Sequence, residues 1–275
     1  MNKALLVGIN QYDLQPLKGC VNDIQDMSEF LIEKCEFQHK EIRKLTDFRA
    51  TKAAILKRLK WLIKGASAGD RIYFHYSGHG TQVASRSEDD EIDGMDELIC
   101  PVDFSFNGES GIENGILDNE LHKIFKEIPK GVHFIWVSDC CCSGTLTRAI
   151  RRNNNRQSRY LVPPEDLAWR NETAMITGKK ITKIGKSVNK LNVAFLSACK
   201  DHQEADDDLF ENGYNGALTY FLLNILKTPK GHTQNFNQIH KSVQNKLVKA
   251  GYSQSPMVDG SKDLLEKTFF NQNQK

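Results

Sequence analysis

Four short apolar runs, Ala4 to Ile9, Arg71 to Tyr76, Val132 to Val137 and Asn192 to Ser197, alternate along this chain with stretches of helical period. Runs of this length read as buried strands. Between the first two, Asn22 to Lys34 puts Ile24, Met27, Phe30 and Leu31 on one helical face. Thr51 can cap a second helix, in which Ile55, Leu56, Leu59, Leu62 and Ile63 recur at the helical spacing before Gly69-Asp70 ends the connection. Ile42 to Leu45 and Glu97 to Pro101 read as weaker strands, and Asp118 to Glu127 as a helix. This βαβ alternation predicts an α/β fold, with a mainly parallel central β-sheet sandwiched between helices. After Asn192 to Ser197 the sequence reads as an acidic loop from Asp201 to Asp208, helices over Asn215 to Lys227 and Phe236 to Val248, and a tail, Gln254-Ser255-Pro256 and Leu264 to Phe270, that supplies a last strand.

In open sheets of this kind, sites form beyond the carboxyl ends of the strands. Two such ends carry reactive side chains flanked by glycine. One is Ser77-Gly78-His79-Gly80, and the other is Asp139-Cys140-Cys141-Cys142-Ser143-Gly144. An imidazole and a thiol presented in this way can act as base and nucleophile, the ring taking the thiol proton or holding the thiolate as an ion pair. A single cysteine at a strand end is most often only a small core residue. Two glycine-flanked strand ends, histidine first and cysteine second, shift the reading towards a cysteine hydrolase.

A chain of 275 residues has room for one large α/β domain or two small ones, and can bury its core without disulfides. A net charge of +2, with charged residues at 26%, argues against a nucleic-acid or membrane partner. The seven cysteines form no paired zinc-type modules and read as thiols in a reducing compartment. Met1 to Ile9 lacks the features of a signal peptide, and no apolar run is long enough to cross a membrane, so a cytoplasmic location is expected. Arg148 to Lys190 is rich in Arg, Asn and Lys and reads as a long exposed segment.

Taken in order, Lys3 to Gln11, Gly19-Cys20-Val21-Asn22-Asp23, Phe74 to Thr81, Asp93 to Asp103, Asp139 to Thr145 and Ser197 to Ala205 resemble the caspase-like cysteine peptidases, and within them the metacaspases and their compact prokaryotic form, the orthocaspases. The resemblance implies a caspase-hemoglobinase-like fold. It implies a catalytic part over 1–147, a basic linker over 148–190, and a part over 191–275 that completes the same domain. It makes Cys141 the nucleophile and His79 its partner, with the oxyanion held by the backbone N–H groups of Gly80 and Cys141. Cys142 stands where the family usually has a histidine other than the catalytic one, and no third catalytic member is obvious.

By the same resemblance Asp23, Asp139 and Ser77 line the first substrate pocket. Buried acids without a cation are costly, so cleavage after Arg or Lys is expected. Taken alone, Asp23 would read as an acid favoured at a helix N-terminus. Arg151, Arg152 and Arg156 are candidate self-cleavage sites of a zymogen. Asp96 and Asp118 match family calcium ligands, but Asn119 and Arg148 stand where further acids are needed, so activity independent of calcium, or at most weakly dependent on it, is expected, with no other cofactor. The implied partners are protein or peptide substrates, and the expected state is a monomer. The alternative reading is a catalytically silent caspase-like scaffold.

Overall fold

The computed structural model describes residues 1–84, 95–107, 111–142, 156–165, 167, 191–200 and 203–270. The order is β1 (Asn2–Gly8), α1 (Cys20–Cys35), β2 (Ile42–Thr46), α2 (Lys52–Ile63), β3 (Arg71–Ser77), β4 (Gly80–Ala84), β5 (Met95–Ile99), β6 (Ile116–Leu117), α3 (Asp118–Phe125), β7 (His133–Asp139), β8 (Gln157–Ser158), β9 (Ala194–Ser197), β10 (Asp206–Phe210), β11 (Gly213–Gly216), α4 (Ala217–Leu226), α5 (Phe236–Lys249), β12 (Met257–Gly260) and α6 (Lys262–Leu265).

The central sheet has the order β12-β9-β7-β3-β1-β2. Its inner pairings are parallel, and β12 alone runs antiparallel, against β9. Because side chains alternate across a strand, each strand feeds two cores. Ala4, Leu6, Tyr73, Ile135, Val137, Ala194 and Leu196 pack on the face covered by α1, α4 and α5. Leu5, Val7, Ile72, Phe74, Phe134, Trp136 and Phe195 pack on the face covered by α2 and α3. Burying a Leu or Phe side chain fully contributes about 1.5–3 kcal/mol, so both faces fix the register of β3 against β7.

Local signals work as the sequence suggests at α2, where the Thr51 side chain accepts from the Ala54 N–H at 3.2 Å. The start of α1 is satisfied from outside the helix. Asn10 Oδ1 accepts from Cys20 N–H at 2.9 Å and Val21 N–H at 3.3 Å, which ties the helix to the loop after β1.

Three expectations differ from the fold. The run Glu97 to Pro101 does contain strand, but β5 pairs antiparallel with β4 and β6 in a small separate sheet. The acidic stretch ending at Asp208 is not all loop: β10 begins at Asp206 and lies between β8 and β11 in a second small sheet, so α4 starts only at Ala217. The last strand is Met257–Gly260, which lies between the two tail stretches expected to supply it, Gln254-Ser255-Pro256 and Leu264 to Phe270. Leu264 falls in α6, while Phe269 and Phe270 bury their rings against Phe30, Phe37 and Tyr73. Consecutive aromatics on one core read as strand in sequence, but here a turn delivers both rings to the same side.

Candidate active site

Strands β3 and β7 are parallel neighbours in register, with Ser77 opposite Asp139. His79 and Cys141 each lie two residues beyond that last pair, so the sheet itself brings the two loops together. The His79 ring is buried, and its Nε2 is 2.6 Å from the Gln15 carbonyl oxygen. A carbonyl can only accept, so Nε2 carries the proton and Nδ1 of the neutral ring is left with a free lone pair. Nδ1 has no hydrogen-bond partner. Burial pushes this imidazole down to about 4, against the raising effect of the Gln15 and Arg159 carbonyls. At neutral pH it is therefore an uncharged base.

Of the three adjacent thiols, Cys140 and Cys142 lie together on one side and Cys141 on the other. Cys140 Sγ lies 3.2 Å from Ser138 Oγ, and Cys142 Sγ donates to the Leu98 carbonyl at 3.7 Å. Cys141 Sγ donates to the Gln203 carbonyl at 2.6 Å, and its backbone N–H points at a different carbonyl, that of Arg159. Gly80 N–H donates to that same oxygen at 3.0 Å, and Cys141 N–H at 3.4 Å. Two main-chain donors thus converge on one carbonyl beside a thiol. A side chain on Gly80 would collide with the Cys141 backbone, which explains the glycine.

The side chain of Arg159 is fully buried and sits among acids. Its Nη2 donates to Asp23 Oδ2 at 2.7 Å and Asp207 Oδ1 at 2.8 Å. Its Nη1 donates to Ser77 Oγ at 2.8 Å and the Asp139 carbonyl at 2.9 Å, and lies 3.2 Å from Asp139 Oδ1. Asp23, Ser77 and Asp139, all inferred from the sequence, are brought together here; Asp207 is added. Gly216 closes the pocket, since a side chain on it would strike both the Arg159 guanidinium and the Asp139 carboxylate.

Each acid is held from behind. Asp23 Oδ1 accepts from Gly216 N–H at 2.9 Å and Asn215 Nδ2 at 3.0 Å, so its role as a helix-start charge is subordinate to the pocket. Asp207 Oδ2 accepts from Lys18 N–H at 2.9 Å and Gly19 N–H at 3.1 Å. Asp139 Oδ2 accepts from the Thr219 hydroxyl at 2.6 Å. With its proton committed to Asp139, that hydroxyl can only accept from His75 Nε2, 3.2 Å away, which leaves His75 Nδ1 to accept from Tyr73 Oη at 3.0 Å. A relay of fixed donors therefore orients Asp139. Burial keeps its imidazole neutral by pushing His75 down to about 3.

The electrostatics favour a cation in the pocket. Burial pushes the Asp23 carboxyl up to about 7, against the pull of the Arg159 guanidinium and with a further push from Asp139. Burial alone would depress Arg159, but Asp139, Cys20, Asp23 and Asp207 outweigh it and raise the guanidinium above its ordinary value. Three carboxylates around one guanidinium leave the site short of positive charge.

Arg156, a proposed cleavage site, does not enter this pocket: its Nε pairs with Asp208 at 2.9 Å and its guanidinium lies 4.1 Å from the Tyr252 ring centre. Arg148, Arg151 and Arg152 lie outside the described residues. Among the described residues no group of three His, Cys, Asp or Glu side chains is placed to hold a metal ion. Of the matched calcium positions, Asp118 uses Oδ1 to accept from the Asn119 N–H at 2.8 Å. With Asn119 and Arg148 replacing acids, the donor set does not fit a cation that takes six to eight oxygens.

Sequence reasoning missed Arg159, Asp207 and the Gln15 carbonyl. The first is one arginine in a basic run, the second one acid in an acidic run, and the third acts through its backbone. Only the run Asp206-Asp207-Asp208 carried a usable signal, because alternation in a strand sends its middle member to the opposite face from the other two.

Comparison with known proteins identifies the family. The family model described as metacaspase, peptidase C14 domain matches residues 2–149. The chain belongs to the metacaspase family. Metacaspase-1A of Aspergillus niger is 31% identical over 96% of this chain and 71% of its own length. Metacaspase-1B of Neurospora crassa is 31% identical over 98% of this chain and 68% of its own. As a metacaspase, the chain is a cysteine-type endopeptidase. Two solved structures share the fold. A Geobacter sulfurreducens protein aligns with a TM-score of 0.70 at 24% identity, covering 98% of both chains. Caspase-1 of Spodoptera frugiperda aligns with a TM-score of 0.60 at 10% identity, covering 100% of this metacaspase and 91% of the caspase.

Proposed function

We propose that this metacaspase cuts with Cys141 as nucleophile and His79 as base, and reads a basic residue through Asp23, Ser77, Asp139 and Asp207. The observation that carries the assignment is the coincidence on a single residue: the guanidinium of Arg159 meets the acids while its carbonyl oxygen accepts from Gly80 and Cys141 N–H. A substrate seated the same way has its scissile carbonyl polarised where negative charge develops. His79 Nδ1 takes the thiol proton, and Gln15 stabilises the resulting imidazolium through Nε2–H. The thiolate attacks the carbonyl carbon. The proton then passes to the departing amine, and water releases the acyl group from Cys141.

Hydrolysis of fluorogenic peptides ending in Arg, Lys or Asp tests the assignment. Turnover of the Arg and Lys peptides that disappears in Cys141→Ala and in His79→Ala is expected. Turnover of the Asp peptide, or full activity in either variant, would overturn it. The protein's seven cysteines are all free thiols, which suits a reducing, cytoplasm-like compartment. As for assembly, the sheet-edge strand β2 carries exposed Arg43 and Lys44, charges that disfavour edge pairing and suit a monomer, to be checked by sedimentation.

A further inference from the structure

We infer that residues 156–161 are this enzyme's first substrate, and that it cuts its own Arg159–Tyr160 bond in cis. The inference rests on the roles proposed for Cys141 and His79. It differs from the sequence expectation, which placed the cut after Arg151, Arg152 or Arg156.

The segment is bound by its main chain on both sides of Arg159. Ahead of it, β8 pairs antiparallel with β10, Ser158 opposite Asp206 and Gln157 opposite Asp207, and Arg159 N–H donates to the Ala205 carbonyl at 3.0 Å. An extended peptide added to a sheet edge is a general mode of peptide recognition. Behind it, Leu161 N–H donates to the Gly80 carbonyl at 2.9 Å, and both Tyr160 and Leu161 are buried. The residue between these anchors is the one whose carbonyl sits on the two N–H donors and whose side chain fills the acidic pocket. Three residues earlier, the Asp208 and Tyr252 contacts of Arg156 fix the register a second time. Sliding the segment by one position in either direction would take Arg159 out of the pocket and leave three buried carboxylates unpaired, so the register is tightly specified.

The step balances without a co-reactant other than water. Cys141 Sγ bonds to the Arg159 carbonyl carbon, the bond to Tyr160 nitrogen breaks, and the thiol proton carried by His79 leaves on the Tyr160 amine. Water then cleaves the thioester, restoring the thiol and giving Arg159 a free carboxylate. Because the segment is already seated, the reaction is intramolecular.

The test follows the full chain from cell-free synthesis, by intact mass and by N-terminal sequencing of fragments, with an Arg peptide assayed on the same samples. The expected result is a fragment beginning at Tyr160, formed with a half-life unchanged over a hundredfold dilution. It should be absent in Cys141→Ala, absent at that bond in Arg159→Gln, and restored in Arg159→Lys. An intact chain that hydrolyses the peptide, or a first fragment beginning after Arg151, Arg152 or Arg156, overturns the inference and leaves the peptidase assignment standing. A half-life that lengthens on dilution overturns cleavage in cis. An intact chain with no peptide hydrolysis removes the assignment of Cys141 and His79 on which the inference rests.

Discussion

Arg159 and Arg156 lie three residues apart on one extended segment, yet they meet acid in two different ways. The side chain of Arg159 is 0% exposed and faces Asp23, Asp139 and Asp207, each also at 0%. Arg156 is 27% exposed, faces only Asp208, and lies on the Tyr252 ring. A buried site with surplus negative charge cannot tolerate vacancy or the wrong side chain, because each unpaired carboxylate carries its full desolvation cost. A one-to-one pair that is 27% and 11% exposed keeps some contact with water, so the loss of either partner costs less. The first arrangement dictates which residue is cut, and the second only tunes how well the surrounding sequence binds.

The contrast is open to direct attack. The largest effect belongs to Asp23→Asn or Asp207→Asn. Breaking a buried ion pair costs about 3–5 kcal/mol, so kcat/KM for Arg peptides should fall roughly 10²–10⁴-fold. A loss below about fivefold would mean that the pocket is not the determinant. Removing only a supporting contact should cost less: Thr219→Val takes a hydroxyl donor from Asp139 and should reduce kcat/KM about tenfold, and an unchanged value would dismiss the Tyr73–His75–Thr219 relay. Replacing Arg by Lys in the peptide keeps the charge but loses the planar fork that spans Asp23, Asp207 and Ser77, and the expected preference for Arg is roughly fivefold. The smallest effect is Asp208→Asn, which should weaken only peptides with a second Arg three residues before the cut, by about threefold, and the difference should vanish at high salt. An equal loss for peptides lacking that second Arg would erase the distinction between the two sites.

pH adds a stability test in the uncut Cys141→Ala chain. His75, His79 and His133 are pushed down to about 3, 4 and 4, in each case by burial first. The unfolded chain takes up these protons near pH 6.5 and the folded chain does not, so stability is lost as pH falls from about 6.5 towards 4, on the order of 3 kcal/mol for each of the fully buried His75 and His79. Asp23, raised to about 7, works the other way, since its folded form binds a proton that the unfolded chain releases. With more histidines than raised acids in the balance, the denaturant midpoint should fall between pH 7 and pH 5. A flat or rising midpoint would show that the rings are not held neutral.

The central sheet was legible because its strands announce themselves as apolar runs, and with it came the two glycine-flanked strand ends that carry His79 and the three adjacent cysteines. Ser77 and Asp139 close β3 and β7, His79 and Gly80 follow one strand, and Cys141 follows the other. The choice of Cys141 among three thiols, the oxyanion roles of Gly80 and Cys141, and the pocket roles of Asp23, Ser77 and Asp139 needed the family resemblance. Taken alone, an acid such as Asp23 in a first helical turn has an ordinary explanation. What stayed hidden depends on contacts between distant parts of the chain. Asp206 to Asp208 looks solvated in sequence, and is buried only because the Lys18 and Gly19 amides and two arginines arrive from elsewhere to satisfy it. Arg159 has nothing in its immediate neighbours to distinguish it from the basic residues before it. The Gln15 carbonyl belongs to the backbone, which a residue type does not reveal.

The pairing of β8 with β10 outlasts the bond that it presents. After the cut, Arg159 would still fill the acidic pocket, Arg156 would still lie on Tyr252, and the new carboxylate would rest on the Gly80 and Cys141 amides. The enzyme would then begin life holding its own product at a high effective concentration. The onset of activity towards other proteins would be timed by the peeling away of a short strand rather than by bond cleavage, and would be seen as a lag that shortens as salt loosens the outer arginine.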